Sequence, residues 1–176
     1  MSNINNFKIE KSKEIDGVYI FYPSFGKDSR GIIYTSFYND NFKDYLPTGL
    51  SFKHDKFSSS KQNVLRGIHG DTKSWKLITC VYGEIYQVVV DCREDSPTYK
   101  CWEAFTINSE NPKLILIPPK MGNSFFVNSD IAIYHYKLAY KGEYLDAEDQ
   151  FSIKWNDPSI GIKWPNENPI LSARDK

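Results

Sequence analysis

Histidine and cysteine are scarce in this chain, and neither sign of charge is in excess. Only His54, His69 and His135 occur in 176 residues. A strand-borne metal centre needs two closely spaced histidines with a carboxylate and a third histidine, yet the position two after His69 is Asp71. No metal site is expected on that pattern. No glycine-rich phosphate loop opens onto a helix, so a nicotinamide or ATP cofactor is unsupported as well. Cys80, Cys92 and Cys101 are odd in number, and the first two sit in apolar strand-like runs. They read as reduced thiols of a cytoplasmic protein. Lys+Arg and Asp+Glu both total 22, a formal net charge of +0, which argues against a nucleic-acid partner or a polybasic membrane surface. No apolar run approaches the ~18–20 residues of a membrane span, and Met1–Lys8 lacks the basic-then-apolar pattern of a signal peptide. The expectation is a soluble, intracellular protein.

Strand signals fill that frame. The segments 17–22, 31–37, 76–82, 84–91, 101–107, 113–117, 124–127 and 131–138 are short and rich in β-branched and aromatic residues, with Gly, Pro, Asn, Asp or Ser between them. Such spacing predicts a sandwich or barrel. Gly83 reads as a hairpin turn, and 118–122 as a proline turn. A helix is expected over 38–45 and a short turn over 147–150. With no linker, repeat or low-complexity tract, residues 1–176 read as one domain.

The run Asn63-Val-Leu-Arg-Gly-Ile-His-Gly70 carries the chemistry. Two glycines in so short an apolar run suggest a strand edge or bulge. In a regular strand Arg66 and His69, three apart, point to opposite faces unless a bulge re-aims one, so a base beside an anion-binding arginine and a core histidine beside a surface arginine both stand. With metal and cofactor set aside, proton transfer is the chemistry left, and His69 is its natural base. Lys76 reads by default as a solvated strand lysine. Tyr134 and Tyr136 share a strand face, where packing is the default role. Asp175 sits near the chain end, where fraying is the default. Alternation puts His54 and Lys56 on one face and Lys53 on the other.

The segments Trp75–Gly83, Val88–Arg93, Asp95–Tyr99 and Lys154–Pro165, with the Arg66–His69 run, follow the order and nearly the spacing of the dTDP-4-dehydrorhamnose 3,5-epimerase family, which the chain resembles from about Gly17 to Asp175. The resemblance implies an all-β, cupin-type antiparallel jelly-roll barrel with a few short helices, whose N-terminal segment pairs with a second subunit. It implies His69 as base, oriented by Asp175 of Leu171-Ser-Ala-Arg-Asp175, and Lys76 beside the developing oxyanion. Thirteen residues on from Asn123, Tyr136 is the implied acid. Arg66 becomes a phosphate ligand, and Arg30 of Asp28-Ser-Arg-Gly31 one that serves the neighbouring subunit of a homodimer. His54, Lys56 and Asn123 are candidate substrate contacts.

Three positions depart from the family. Thr35 stands where its thymidine branch carries a glutamate, Asn123 where many members have histidine, and Gln87 where many have an acid. Thr35 speaks against a thymine-linked substrate. The chain resembles most closely the branch acting on GDP-linked 4-keto-6-deoxy-heptoses of surface polysaccharides. The expected activity is a cofactor-independent epimerase of a nucleotide-diphospho-sugar, inverting carbon-3, carbon-5 or both. A 3,4-ketoisomerase and a non-catalytic sugar-nucleotide-binding cupin are the rivals.

Overall fold

The structure is a computed structural model that describes residues 5–176. Its strands are β1 (Phe7–Lys11), β2 (Tyr19–Pro23), β3 (Phe25–Asp28), β4 (Gly31–Tyr34), β5 (His54–Lys61), β6 (Leu65–Gly70), β7 (Trp75–Tyr82), β8 (Glu84–Asp91), β9 (Trp102–Asn108), β10 (Leu114–Ile117), β11 (Met121–Val127), β12 (Ile131–Ala139) and β13 (Phe151–Ser152). Six form one sheet in the order β1-β2-β10-β7-β12-β5, and five a second in the order β13-β6-β11-β8-β9. Every ladder between these strands is antiparallel, and the two sheets face each other as a cupin-type jelly roll. A short helix α1 (Asn39–Phe42) runs into a 3₁₀ turn at Lys43–Tyr45, and a second 3₁₀ turn spans Ala147–Asp149 under an Asp146 cap.

Period-two alternation explains the layers. On β12, Ala132 and Tyr134 join the core between the sheets, together with Ile78 of β7, Ile115 of β10 and Phe125 of β11. Residues one step along, such as Leu77, Leu116 and Ala139, bury instead under Phe42 of α1 on the outer face. The six-stranded sheet is therefore covered on both sides. Gly83 turns β7 into β8 at φ +76°, where a Cβ would collide with the Ile131 carbonyl.

The differences from the sequence reading are local. The first strand is β1, which precedes the first strand segment delimited in the sequence and pairs with β2. The 31–37 segment stops at Tyr34, and β3 joins it through a Ser29-Arg30 turn. The proline turn is shorter than expected, because Met121 and Gly122 already belong to β11 and pair with β8. Among the described residues, no helix is long and apolar enough to cross a membrane.

Candidate active site

The register between β6 and β11 builds the site. Asn123 pairs with His69 while Phe125 pairs with Arg66, so three steps on β6 match two on β11. The extra residue is a bulge centred on Gly67 and Ile68. It sends Ile68 outward into a cluster with Val88 and Val90, and leaves Arg66 and His69 together on the inner wall. Gly67 is the residue that permits this. Its φ is +112°, and a Cβ there would lie 2.6 Å from the Asn123 carbonyl oxygen.

Between the sheets lies a cavity of about 170 Å³. Arg66, His69 and Asn123 line it from the five-stranded sheet, while Lys76 and Tyr136 line it from the six-stranded one. His69 Nε2 sits 2.7 Å from Asp175 Oδ1, a carboxylate with only 5% of its side chain exposed. The chain end is thus folded onto the histidine. His69 Nδ1 lies 3.0 Å from the Ser152 hydroxyl on β13, whose oxygen also accepts from Arg174 Nε at 3.3 Å. Burial pushes the His69 pKa below its ordinary value of 6.5; Asp175 opposes that shift, and the Arg174 and Lys76 cations add to it. The ring is a neutral imidazole at neutral pH.

Lys76 is buried, and its Nζ is 3.5 Å from Asp71 Oδ2. Asp71 Oδ1 accepts from the backbone N–H groups of Lys73 and Ser74, which fixes the carboxylate at the strand entrance. Burial lowers the lysine pKa, with Asp71 acting against it. Tyr136 is half-buried, and burial raises its pKa, so it stays a phenol at neutral pH. Tyr134, two residues away, is fully enclosed and stacked on Phe125 at 4.2 Å.

Other expected residues fall elsewhere. His54 and Lys56 do not line the cavity; Tyr144 stands there instead. The His54 ring packs 4.9 Å from the Tyr144 ring, and Lys56 Nζ donates to the Tyr144 hydroxyl at 3.2 Å. Both residues therefore lie one layer behind the wall. Arg30 is on the exposed β3–β4 turn, bonded to Asp28 at 2.6 Å and outside this cavity. Thr35 donates its hydroxyl to Asn5 at 2.8 Å. Asp71, Tyr144 and Ser152 escape a sequence reading, since each is a common residue whose role depends on the fold bringing it to its partner.

The model of the dTDP-4-dehydrorhamnose 3,5-epimerase family matches residues 12–176. The dTDP-4-dehydrorhamnose 3,5-epimerase of Salmonella typhimurium is 36% identical over 165 residues, which is 92% of this chain and 88% of that protein. The dTDP-4-dehydrorhamnose 3-epimerase of Streptomyces niveus is 32% identical, covering 92% and 78%. Among solved structures, a dTDP-6-deoxy-D-glucose-3,5-epimerase from Legionella pneumophila in complex with dTDP-4-keto-L-rhamnose superposes with a TM-score of 0.88 at 34% identity, covering 97% of this chain and 90% of that one. These relatives carry dTDP-linked names and are epimerases. They give no support to the GDP-linked heptose branch, and leave the ketoisomerase and the non-catalytic binder unsupported. A family match over residues 12–176 and a jelly roll of the same shape settle the assignment: this chain belongs to the dTDP-4-dehydrorhamnose 3,5-epimerase family and is a sugar-nucleotide epimerase.

Proposed function

We propose that the cavity inverts carbon-3, carbon-5 or both of a dTDP-linked 4-keto-6-deoxy sugar. One observation carries the reading: a carboxylate-held histidine and a phenol stand on opposite sheets of one cavity, with a buried lysine on its wall. Asp175 against Nε2 keeps the proton there and leaves Nδ1, 3.0 Å from the Ser152 hydroxyl, as the basic nitrogen. His69 takes the proton alpha to the ketone. The C–H electron pair becomes the enolate double bond, and the carbonyl pair moves to oxygen, where Lys76 stabilises the charge. Tyr136 donates a proton to the opposite face, which inverts the carbon. The resulting phenolate regains its proton from imidazolium through solvent.

The cavity is smaller than the ~300–1,000 Å³ of a typical whole-ligand site, so it suits the sugar ring, and the nucleotide lies outside it. That leaves a place for Arg30, whose guanidinium is exposed on a turn and suits a partner subunit's diphosphate in a homodimer. Arg30→Ala should raise the Kd for dTDP severalfold with the cavity intact; unchanged affinity, or a fully active monomer, overturns this arrangement.

Solvent-deuterium incorporation read by NMR tests the whole reading. With dTDP-4-keto-6-deoxyglucose, label should enter at carbon-3 or carbon-5. No incorporation refutes the epimerase mechanism, and faster incorporation into a GDP-linked 4-keto-6-deoxy-heptose would overturn the dTDP-linked substrate.

A further inference from the structure

Beside His69, an amide chain unused by that mechanism runs through the inner face of the five-stranded sheet. Gln87 is completely buried on β8, and its Nε2 lies 3.0 Å from the Val88 carbonyl oxygen and 2.7 Å from Asn123 Oδ1. A carbonyl oxygen only accepts, so the Gln87 atom facing it must be the NH₂ group. The second hydrogen of that group then points at Asn123, and the Asn123 atom receiving it must be the oxygen. Orientation thus passes from a backbone carbonyl through one amide to the next. Gln87 Oε1 is left buried with no hydrogen-bond partner among the described residues, a penalty for holding the group this way round.

The consequence appears at the cavity wall. With its oxygen turned toward Gln87, Asn123 has its NH₂ on the other side. The Tyr134 hydroxyl, 3.2 Å from both Asn123 atoms, can use at most one of the two amide hydrogens. At least one hydrogen remains on a residue that lines the cavity directly opposite His69 in the strand pairing. The geometry points to Asn123 as an oxyanion donor to the ketone oxygen of the substrate, with Gln87 as the positioning residue that keeps the donor facing in. The ketone oxygen is attached to the carbon next to the one His69 deprotonates, so a donor across from the base is in range of it. A neutral amide adds a hydrogen bond to the developing enolate without adding a charge beside Lys76.

This rests on the epimerase reading, and Gln87→Glu tests it by reversing the chain. When ionised, the introduced carboxylate only accepts, so Asn123 must turn its NH₂ toward it and present its oxygen to the enolate. When protonated, the introduced carboxyl donates as glutamine does and restores the original direction. Gln87→Glu should therefore exchange deuterium near the wild-type rate at low pH and lose rate as pH rises through the pKa of the new carboxyl, a limb wild type lacks. Asn123→Ala should lose ~10-fold or more at every pH, up to the ~10²–10³-fold of a deleted oxyanion donor, with the KM little changed. Binding of dTDP to each variant reports an intact fold. If wild type exchanges while Asn123→Ala stays within twofold, the inference fails alone, even should Gln87→Glu not fold. A wild type that exchanges nothing removes the epimerase reading and the inference together.

Discussion

Two aromatic clusters sit on opposite faces of the same six-stranded sheet, and they differ chiefly in their hydroxyls. On the outer face Phe42 packs against Phe7, Phe21 and Phe37 with ring centroids 4.6–5.4 Å apart. Tyr19 and Tyr45 are the tyrosines of that cluster, and their rings meet edge to face at 5.0 Å. On the inner face Tyr134, Tyr136 and Tyr144 occupy the cavity wall, with His54, Lys56 and Asn123 within reach of their rings or hydroxyls. Both faces gain area and ring contacts, but a buried hydroxyl needs a polar partner. The outer cluster holds the sheet; the inner one uses similar packing to place hydroxyls on the cavity wall. Substitutions should therefore separate stability from chemistry by face.

The largest effect on chemistry is expected at His69. His69→Ala removes the proposed base and should lower deuterium exchange by at least the ~10²–10⁴-fold that a general base contributes. The side chain is partly exposed, so thermal stability should move little. Substantial exchange in this variant would mean that another group is the base. Phe42→Ala is the opposite case. It deletes a fully buried ring and should cost about 3–5 kcal/mol of stability. Exchange per folded molecule should stay near wild type. A denaturant titration beside the exchange assay checks both halves, and a Phe42→Ala protein that folds normally but exchanges slowly would break the division between the faces.

The same division explains what is legible in the sequence. Central strands such as β7, β8 and β12 announce themselves through β-branched and aromatic runs, and the helical turn at 38–45 by its contrast with them. The short edge strands β1 and β13 do not: the one alternates with Lys8 and Glu10, and the other has two residues. Arg66 and His69 stand out as residues, but their shared face depends on a bulge that only the pairing with β11 defines. His54 and Lys56 do share a face of β5, yet Tyr144, from a loop 88 residues beyond Lys56, stands between them and the cavity. Alternation reports direction and is silent about what crosses in front.

Asp175 comes next in magnitude. Asparagine can still offer an oxygen to His69 Nε2, so Asp175→Asn should keep the tautomer while losing the charge. The plateau rate should fall by about 10–100-fold or more, the lower bound being the loss typical of carboxylates that orient metal-ligating histidines and the upper the ~10⁴-fold of a histidine–aspartate pair in a triad. The sign of the pH effect follows from the forces on the ring. Burial lowers the His69 pKa and Asp175 opposes it, so removing the carboxylate lowers it further. Activity requires neutral imidazole and is lost as pH falls through that pKa. The acid limb should therefore move to lower pH in Asp175→Asn. A limb that stays in place, or moves up, would show that another group sets it.

The smallest change in exchange is expected for two substitutions that remove one oxygen each and make the inner wall resemble the outer cluster. Tyr136→Phe keeps the ring but deletes the donor across from His69. The enolate still forms and still exchanges on its original face, so label incorporation should persist while net inversion falls steeply. Tyr134→Phe is the control two residues along the same strand. Its hydroxyl is enclosed and meets the Asn123 amide at 3.2 Å, and burial pushes its pKa up, which opposes proton donation. The ring stack on Phe125 survives the change. Inversion should therefore drop only slightly, with any loss tracing to a looser Asn123. NMR separates the two outcomes, because retained and inverted products carry label in different diastereomers. If Tyr134→Phe abolishes inversion while Tyr136→Phe does not, the acid lies two residues earlier than assigned. If both invert normally, water returns the proton, and the inner tyrosines serve packing just as the outer phenylalanines do.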